Sequence, residues 1–158
     1  MKKSSILFFL ILVLVMMILS NNLLANDKVT ISIFYKNKKP SEQVLEKINQ
    51  LLEQFKDSYQ INYYLIEDQK NMDIITQFGL PSTHFPFSVV INGKFTANID
   101  DKVVSFVHFP LFMKGIGRHE GNWSIADLEK VFYDNSLLLE ENILPTLEED
   151  SNSSECEE

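Results

Sequence analysis

The chain has 158 residues, enough for one domain whose core needs no covalent staples. A hydrophobic fraction of 45% with 12 Phe excludes general disorder, and a net charge of −8 excludes the basic face that nucleic acid demands. The single cysteine, Cys156, excludes an intrachain disulfide.

Lys2 and Lys3 precede an apolar run of 14 residues, 6–19, and Leu23-Leu24-Ala25 follows. This is the layout of a secretory signal, with a run short for a membrane span. Leu23 stands where a cleavage site prefers a small residue, so an uncleaved anchor over 6–25 stays open as the alternative. Either reading places the rest of the chain outside the cytoplasm, periplasmic or otherwise extracytoplasmic, and meets a membrane only through this segment. Without Lys2 and Lys3, 12 basic residues face 22 acidic ones. Residues 140–158 carry eight of the acidic groups and no basic one, so 26–139 is nearly neutral. The expected organisation is therefore a signal or anchor over 1–25, a domain over 26–139 and an acidic, disordered tail over 140–158.

Residues 29–35, Val-Thr-Ile-Ser-Ile-Phe-Tyr, are β-branched and aromatic and read as a buried strand. A basic loop leads to Pro40-Ser41, which opens a helix. Proline suits the first turn because the N–H it lacks would be unpaired there. Val44, Leu45, Ile48, Leu51, Leu52 and Phe55 then recur at helical spacing, with Glu42, Glu46, Glu53 and Lys56 opposite. Residues 59–66 form a second strand, and 68–78 a short helix that Gly79 ends as its C′ residue. Strand, helix, strand in this order implies a right-handed crossover and parallel pairing.

The next stretch is the most informative in the chain. Phe85-Pro86 leads into an apolar strand over 87–92, and Asn92-Gly93 marks a hairpin, because a type I′ turn needs positive φ at both central positions. Residues 94–99 should return antiparallel beside 87–92. Ser124 and Asp127 have the spacing of an N-cap and its N3 partner, and Ile125, Leu128, Val131 and Phe132 supply that helix's apolar face. The run 137–139 either continues this helix or forms a separate short one before Pro145.

The order β-α-β-α-β-β-α over residues 29–133, with Phe85-Pro86 at the entry of the third strand, resembles the thioredoxin-like superfamily. The resemblance implies an α/β fold: a three-layer α/β/α sandwich with a mixed four- to five-stranded sheet, a cis-proline loop at Pro86 and an insertion before the last helix. In active members the first strand runs into Cys-x-x-Cys, commonly with proline third. Here Lys38-Lys39-Pro40-Ser41 stands in that place, so Lys38 and Ser41 replace the two cysteines. Disulfide exchange needs a thiolate to attack and a second thiol to resolve, and neither lysine nor serine supplies one. Dithiol oxidoreductase activity is therefore not expected. The resemblance further implies that Lys38, Ser41, His84, Phe85 and Pro86 line one shallow surface that offers backbone groups to an extended peptide.

Residues 103–123 are an insertion relative to that pattern, apolar at first and then glycine-rich around Arg118-His119-Glu120. Long loops in compact domains are commonly functional. His84, His108, His119 and Glu120 show no recognised metal-ligand spacing, so no metal and no cofactor is expected. No serine has the setting of a hydrolase nucleophile. Within the insertion about half of the large apolar residues should enter the core. Phe112, Met113 and Trp123, with Arg118 and His119, are the expected partner surface.

The leading expectation is thus an exported, redox-inactive binding or scaffold module for a protein or extended peptide. The alternative is an envelope thiol-redox protein or other enzyme that uses Cys156 or Arg118, His119 and Glu120. The acidic neighbours of Cys156 weigh against it, since their field disfavours the thiolate.

Overall fold

β1, Val29–Tyr35, is the middle strand of a three-stranded sheet and is paired along both edges. A computed structural model describes residues 28–81, 87–110 and 121–145. On one side β1 runs parallel to β2, Tyr59–Leu65, in register from Val29 opposite Tyr59 to Tyr35 opposite Leu65. On the other it runs antiparallel to β3, Phe87–Ile91, from Ile31 opposite Ile91 to Tyr35 opposite Phe87. The sheet order is β2-β1-β3.

The period of two in β1 sorts its side chains between two cores. Ile31 and Ile33 pair with Ile91 and Val89 and enter a cluster with Val44, Ile48, Leu51 and Leu52 of α1, Lys39–Leu52. Leu128, Val131 and Phe132 of α3, Ile125–Tyr133, complete that cluster. Phe34 faces the other way and packs with Val90, Leu80, Phe95, Val107 and Ile75. Ile75 belongs to α2, Met72–Gln77, which a 3₁₀ turn at Gln69–Asn71 precedes. Each aliphatic side chain buried this way contributes about 1.5–3 kcal/mol relative to exposure. Fold content is therefore mixed α/β, with α1 and α3 in one cluster and α2 in the other.

The helix ends follow their local chemistry. Pro40 sits in the first turn of α1. Gly79 and Leu80 close α2 by donating to the carbonyls of Thr76 and Ile75, at 3.0 and 3.2 Å, the paired bonds of a Schellman end. Ser124 and Asp127 form the full capping box: Asp127 N–H donates to Ser124 Oγ at 3.2 Å, and Ser124 N–H to Asp127 Oδ2 at 2.8 Å.

In place of one sheet of four or five strands, the described residues form a three-stranded sheet and a two-stranded one. The Asn92-Gly93 turn forms, with φ of 49° and 81° and reciprocal bonds between Ile91 and Lys94. After Lys94, however, the strand leaves β3. β4, Thr96–Ile99, pairs instead with β5, Lys102–Ser105, through a second turn at Asp100-Asp101, where φ is 51° and 63°. Asp-Asp is a weaker signal for this turn than Asn-Gly, which is why β5 reads from sequence as the start of an insertion. The hairpin docks back on β3 through Phe106, whose carbonyl accepts from Val89 N–H and Ser88 Oγ, both at 2.9 Å.

The run after α3 forms a separate 3₁₀ turn, Asn135–Leu137, and then a strap across the hairpin. Leu138 bridges to Ala97, and Leu139 N–H donates to Thr96 O at 2.9 Å. Residues 140–145 of the expected disordered tail belong to this strap: Glu140, Asn142 and Ile143 all bond to the hairpin or the turn before it. Short carboxamide and hydroxyl side chains supply those bonds without any hydrophobic pattern that sequence reading could detect. Residues 146–158, with Cys156, lie outside the described residues. So do residues 1–27, and among the described residues no helix is long and apolar enough to cross a membrane.

Candidate functional site

One end of the sheet gathers the segments from which a site could be built. β1 and β2 both run toward it, and the carboxyl ends of parallel strands are where open α/β sheets place their ligands. The loop after β1 and the loop after β2 are joined there, since Asn37 N–H donates to Glu67 Oε2 at 3.1 Å. Phe87 pairs with Tyr35, so β3 starts at the same end. Ser88 bridges to Val107, which brings the stem of the insertion alongside.

At this end Lys38 is the N-cap of α1 and is exposed, with no side-chain cap bond. Ser41 differs from its expected place on the surface. It is 1% exposed and its Oγ accepts from Lys36 N–H at 2.9 Å, which ties the first turn of the helix to the end of β1. A buried hydroxyl needs such a partner, and here the loop amide provides it. Lys36, Lys38 and Lys39 surround a helix N-terminus, an arrangement the helix dipole disfavours for cations but favours for an approaching anion or carboxylate.

His84, Phe85 and Pro86 lie outside the described residues, and with them the expected cis bond at Pro86. The same holds for Phe112, Met113, Arg118, His119 and Glu120 of the insertion. What the structure describes is the stem that carries them. Gly121 N–H donates to Phe109 O at 2.9 Å, closing the base of the loop. A Cβ at Gly121 would stand 2.6 Å from Phe109 O and 2.8 Å from Val107 O, so only glycine permits this approach.

Trp123 also departs from expectation. It is fully buried, stacked edge-on against Phe106 with centroids 5.4 Å apart, and its Nε1 donates to Val107 O at 3.1 Å. A tryptophan in this setting anchors the stem and offers no area to a partner. Its nearness to glycine in sequence signals close backbone packing rather than an exposed ring. His108, weighed earlier as a metal ligand, is 3% exposed on a left-handed backbone with φ of 64°. Among the described residues no three His, Cys, Asp or Glu side chains are grouped to hold a metal ion.

Sequence reading missed two members of this region. Glu67 gives no periodic signal, being an exposed loop carboxylate. Asn122 clasps the outer edge of β5, accepting from Ser105 N–H at 2.9 Å and donating to Val103 O at 3.1 Å, as a neighbouring strand would. A second surface, a shallow groove on α1 lined by Glu42, Leu45, Glu46, Asn49, Gln50 and Glu53, presents only solvated polar groups around one leucine. Beside it Tyr63 donates to Asn49 Oδ1 at 2.8 Å, and its hydroxyl is pushed up from the usual phenol value by burial first, then by Glu53 and Tyr35.

No protein-family model, characterised protein or solved structure matches this chain.

Proposed function

We propose that the chain is an exported protein of thioredoxin-like, three-layer fold that has no dithiol chemistry and binds a protein or an extended peptide at the carboxyl end of β1. The observation that carries this reading is the convergence there of the α1 start, the β3 entry and the insertion stem, through Tyr35 opposite Phe87 and Ser88 opposite Val107. The strand order β2-β1-β3, with α1 and α3 in one cluster and α2 in the other, supports the fold assignment.

Lys38 and Ser41 at the places of the two cysteines support the loss of redox function. Ser41 is committed to holding the helix start, and Lys38 presents a cation in place of a nucleophile. Phe85-Pro86 supplies backbone groups to the partner, and Arg118, His119, Phe112 and Met113 supply charge and apolar area from the insertion. Arginine's planar fork suits a carboxylate on that partner.

The test replaces residues 111–120 by a short glycine-serine link, which leaves the Phe109–Gly121 closure in place. It also changes Pro86→Ala in a second variant. In a pull-down from the envelope fraction, both variants should lose a partner that the unmodified protein retains. An unchanged partner list for both, with folding verified by circular dichroism, overturns the reading. Insulin reduction by the unmodified protein should stay at the rate of buffer, and turnover there would favour an enzyme instead.

A further inference from the structure

The strap over 138–145 has the character of a bound peptide. Leu138 packs against the main core, and beyond it the contacts with the hairpin are backbone bonds and polar side chains, which an extended segment of similar pattern could reproduce. Leu139 N–H donates to Thr96 O at 2.9 Å. Ile143 N–H donates to Thr96 Oγ1 at 2.8 Å, and Ile143 O accepts from Thr96 Oγ1 at 3.3 Å and from Ser105 Oγ. Asn142 accepts from Phe95 N–H at 2.8 Å and donates to Gly93 O at 2.9 Å. Glu140 pairs with Lys94 at 2.7 Å.

The receptor and the occupant differ in how firmly each is held. Thr96 and Ser105 are cross-strand partners at 0% and 2% exposure, built into the hairpin. Residues 140–144 are exposed, and Ile143 and Leu144 leave 43% and 44% of their surface in solvent. A segment with so little apolar burial opens locally far more often than the fold does. When it opens, the Thr96 and Ser105 hydroxyls and the Phe95 N–H exchange the strap for water, and the same groups become available to another extended segment. The hairpin therefore offers a fixed set of donors and acceptors that an extended backbone of the same pattern can match.

We propose that the β4–β5 hairpin, with the turn before it, is a recognition site for an extended peptide of the pattern acidic–x–Asn–apolar, and that Glu140-Glu141-Asn142-Ile143 fills it in cis. The carboxylate of the peptide meets Lys94, its asparagine spans Phe95 N–H and Gly93 O, and the carbonyl of its last residue meets Thr96 Oγ1 and Ser105 Oγ. A partner presenting this pattern competes with the strap. The inference is independent of the Pro86 loop, and either can fail without the other.

The experiment uses the full chain and a fluorescein-labelled synthetic peptide of residues 137–145, with polarisation as the readout. The unmodified protein binds the peptide weakly, because only the open fraction is competent. Asn142→Ala loosens the resident strap and should tighten peptide binding at least about fivefold, in proportion to the open fraction gained. Adding Thr96→Val to that variant should reverse the gain by a similar factor. A merely structural strap predicts no such opposition of sign.

Hydrogen exchange at Phe95 and Leu139 reports opening separately. Ile143→Pro, which lacks the N–H that Thr96 accepts, is the second opener. Faster exchange in either variant without peptide binding up to about 1 mM overturns the proposal. If neither variant raises the exchange, the strap is a fixed part of the fold and the proposal fails. A concentration-dependent dimer that the peptide does not dissolve also overturns it, since a second copy would then be the occupant.

Discussion

Single residues decide where the insertion can leave the domain. Gly121 brings its backbone against the carbonyls of Val107 and Phe109, and a methyl group there would lie 2.6 Å from one of them. These are backbone atoms flanked by Trp123 and Phe106, so they have no flexible side chain to yield. Gly121→Ala should therefore destabilise the domain by about 1–3 kcal/mol, the usual range for overpacking. A thermal melt monitored by near-ultraviolet circular dichroism of Trp123 checks it, and an unchanged midpoint would show that the stem can shift. Ser41 and Trp123 illustrate the limit of residue-level reading. Both stand at positions that suggest a surface, and both are spent on packing and hydrogen bonds that sequence neighbours do not announce.

At the scale of elements, the ends matter more than the middles. α3 carries its start signal in four consecutive positions, Ser124 to Asp127, and the capping box forms as that spacing predicts. The element after it depends on Asp134, whose carboxylate accepts from Ser136 Oγ at 2.6 Å and Ser136 N–H at 3.0 Å. These two bonds, the hydroxyl first, hold the Asp134 carboxyl below its ordinary value. A depressed folded value means that the cap's contribution is present above the ordinary aspartate range of about 4, and is lost as pH falls through the lower folded value. The Ser136 amide resonance should accordingly titrate with a midpoint below that ordinary range, and Asp134→Asn should abolish the titration. A midpoint at the ordinary value would mean that the turn does not hold the charged form. The periodicity of α1 was legible because burial imposes it on many residues at once. The Asp100-Asp101 turn was not, because aspartate enters left-handed backbone only occasionally and two in succession are a weak signal beside Asn-Gly.

The whole molecule is arranged around one strand with partners on both edges. β1 shares side chains with both hydrophobic clusters, so opening it requires both to come apart. The strap beyond Leu138 is at the opposite extreme, held mainly by polar bonds to the hairpin with its own residues 140–144 exposed. Native-state hydrogen exchange should rank them accordingly. Amides of Ile31, Ile33 and Phe34 should exchange only with global unfolding, whereas Leu139 and Ile143 should exchange much earlier through local opening. Equal protection of the two regions would show that strap and sheet unfold as one unit.

β1, α1, β2, the capped α3 and the Asn92-Gly93 turn are legible in the order of amino acids alone, because period, caps and turn chemistry act over a few neighbouring residues. So is the inability of Lys38 and Ser41 to exchange disulfides, which is a matter of side-chain chemistry alone. That the strand after Lys94 turns away from β3, that Ser41 and Trp123 face inward, and that residues 138–145 lie across the hairpin emerges from the packing of the whole fold. Each of these outcomes depends on hydrogen bonds between groups far apart in the chain. Asn142 and Phe95 are separated by 47 positions, and Ile143 and Ser105 by 38. A single carboxamide or hydroxyl has no periodicity to reveal such a pairing. It becomes visible only when folding brings the two edges together.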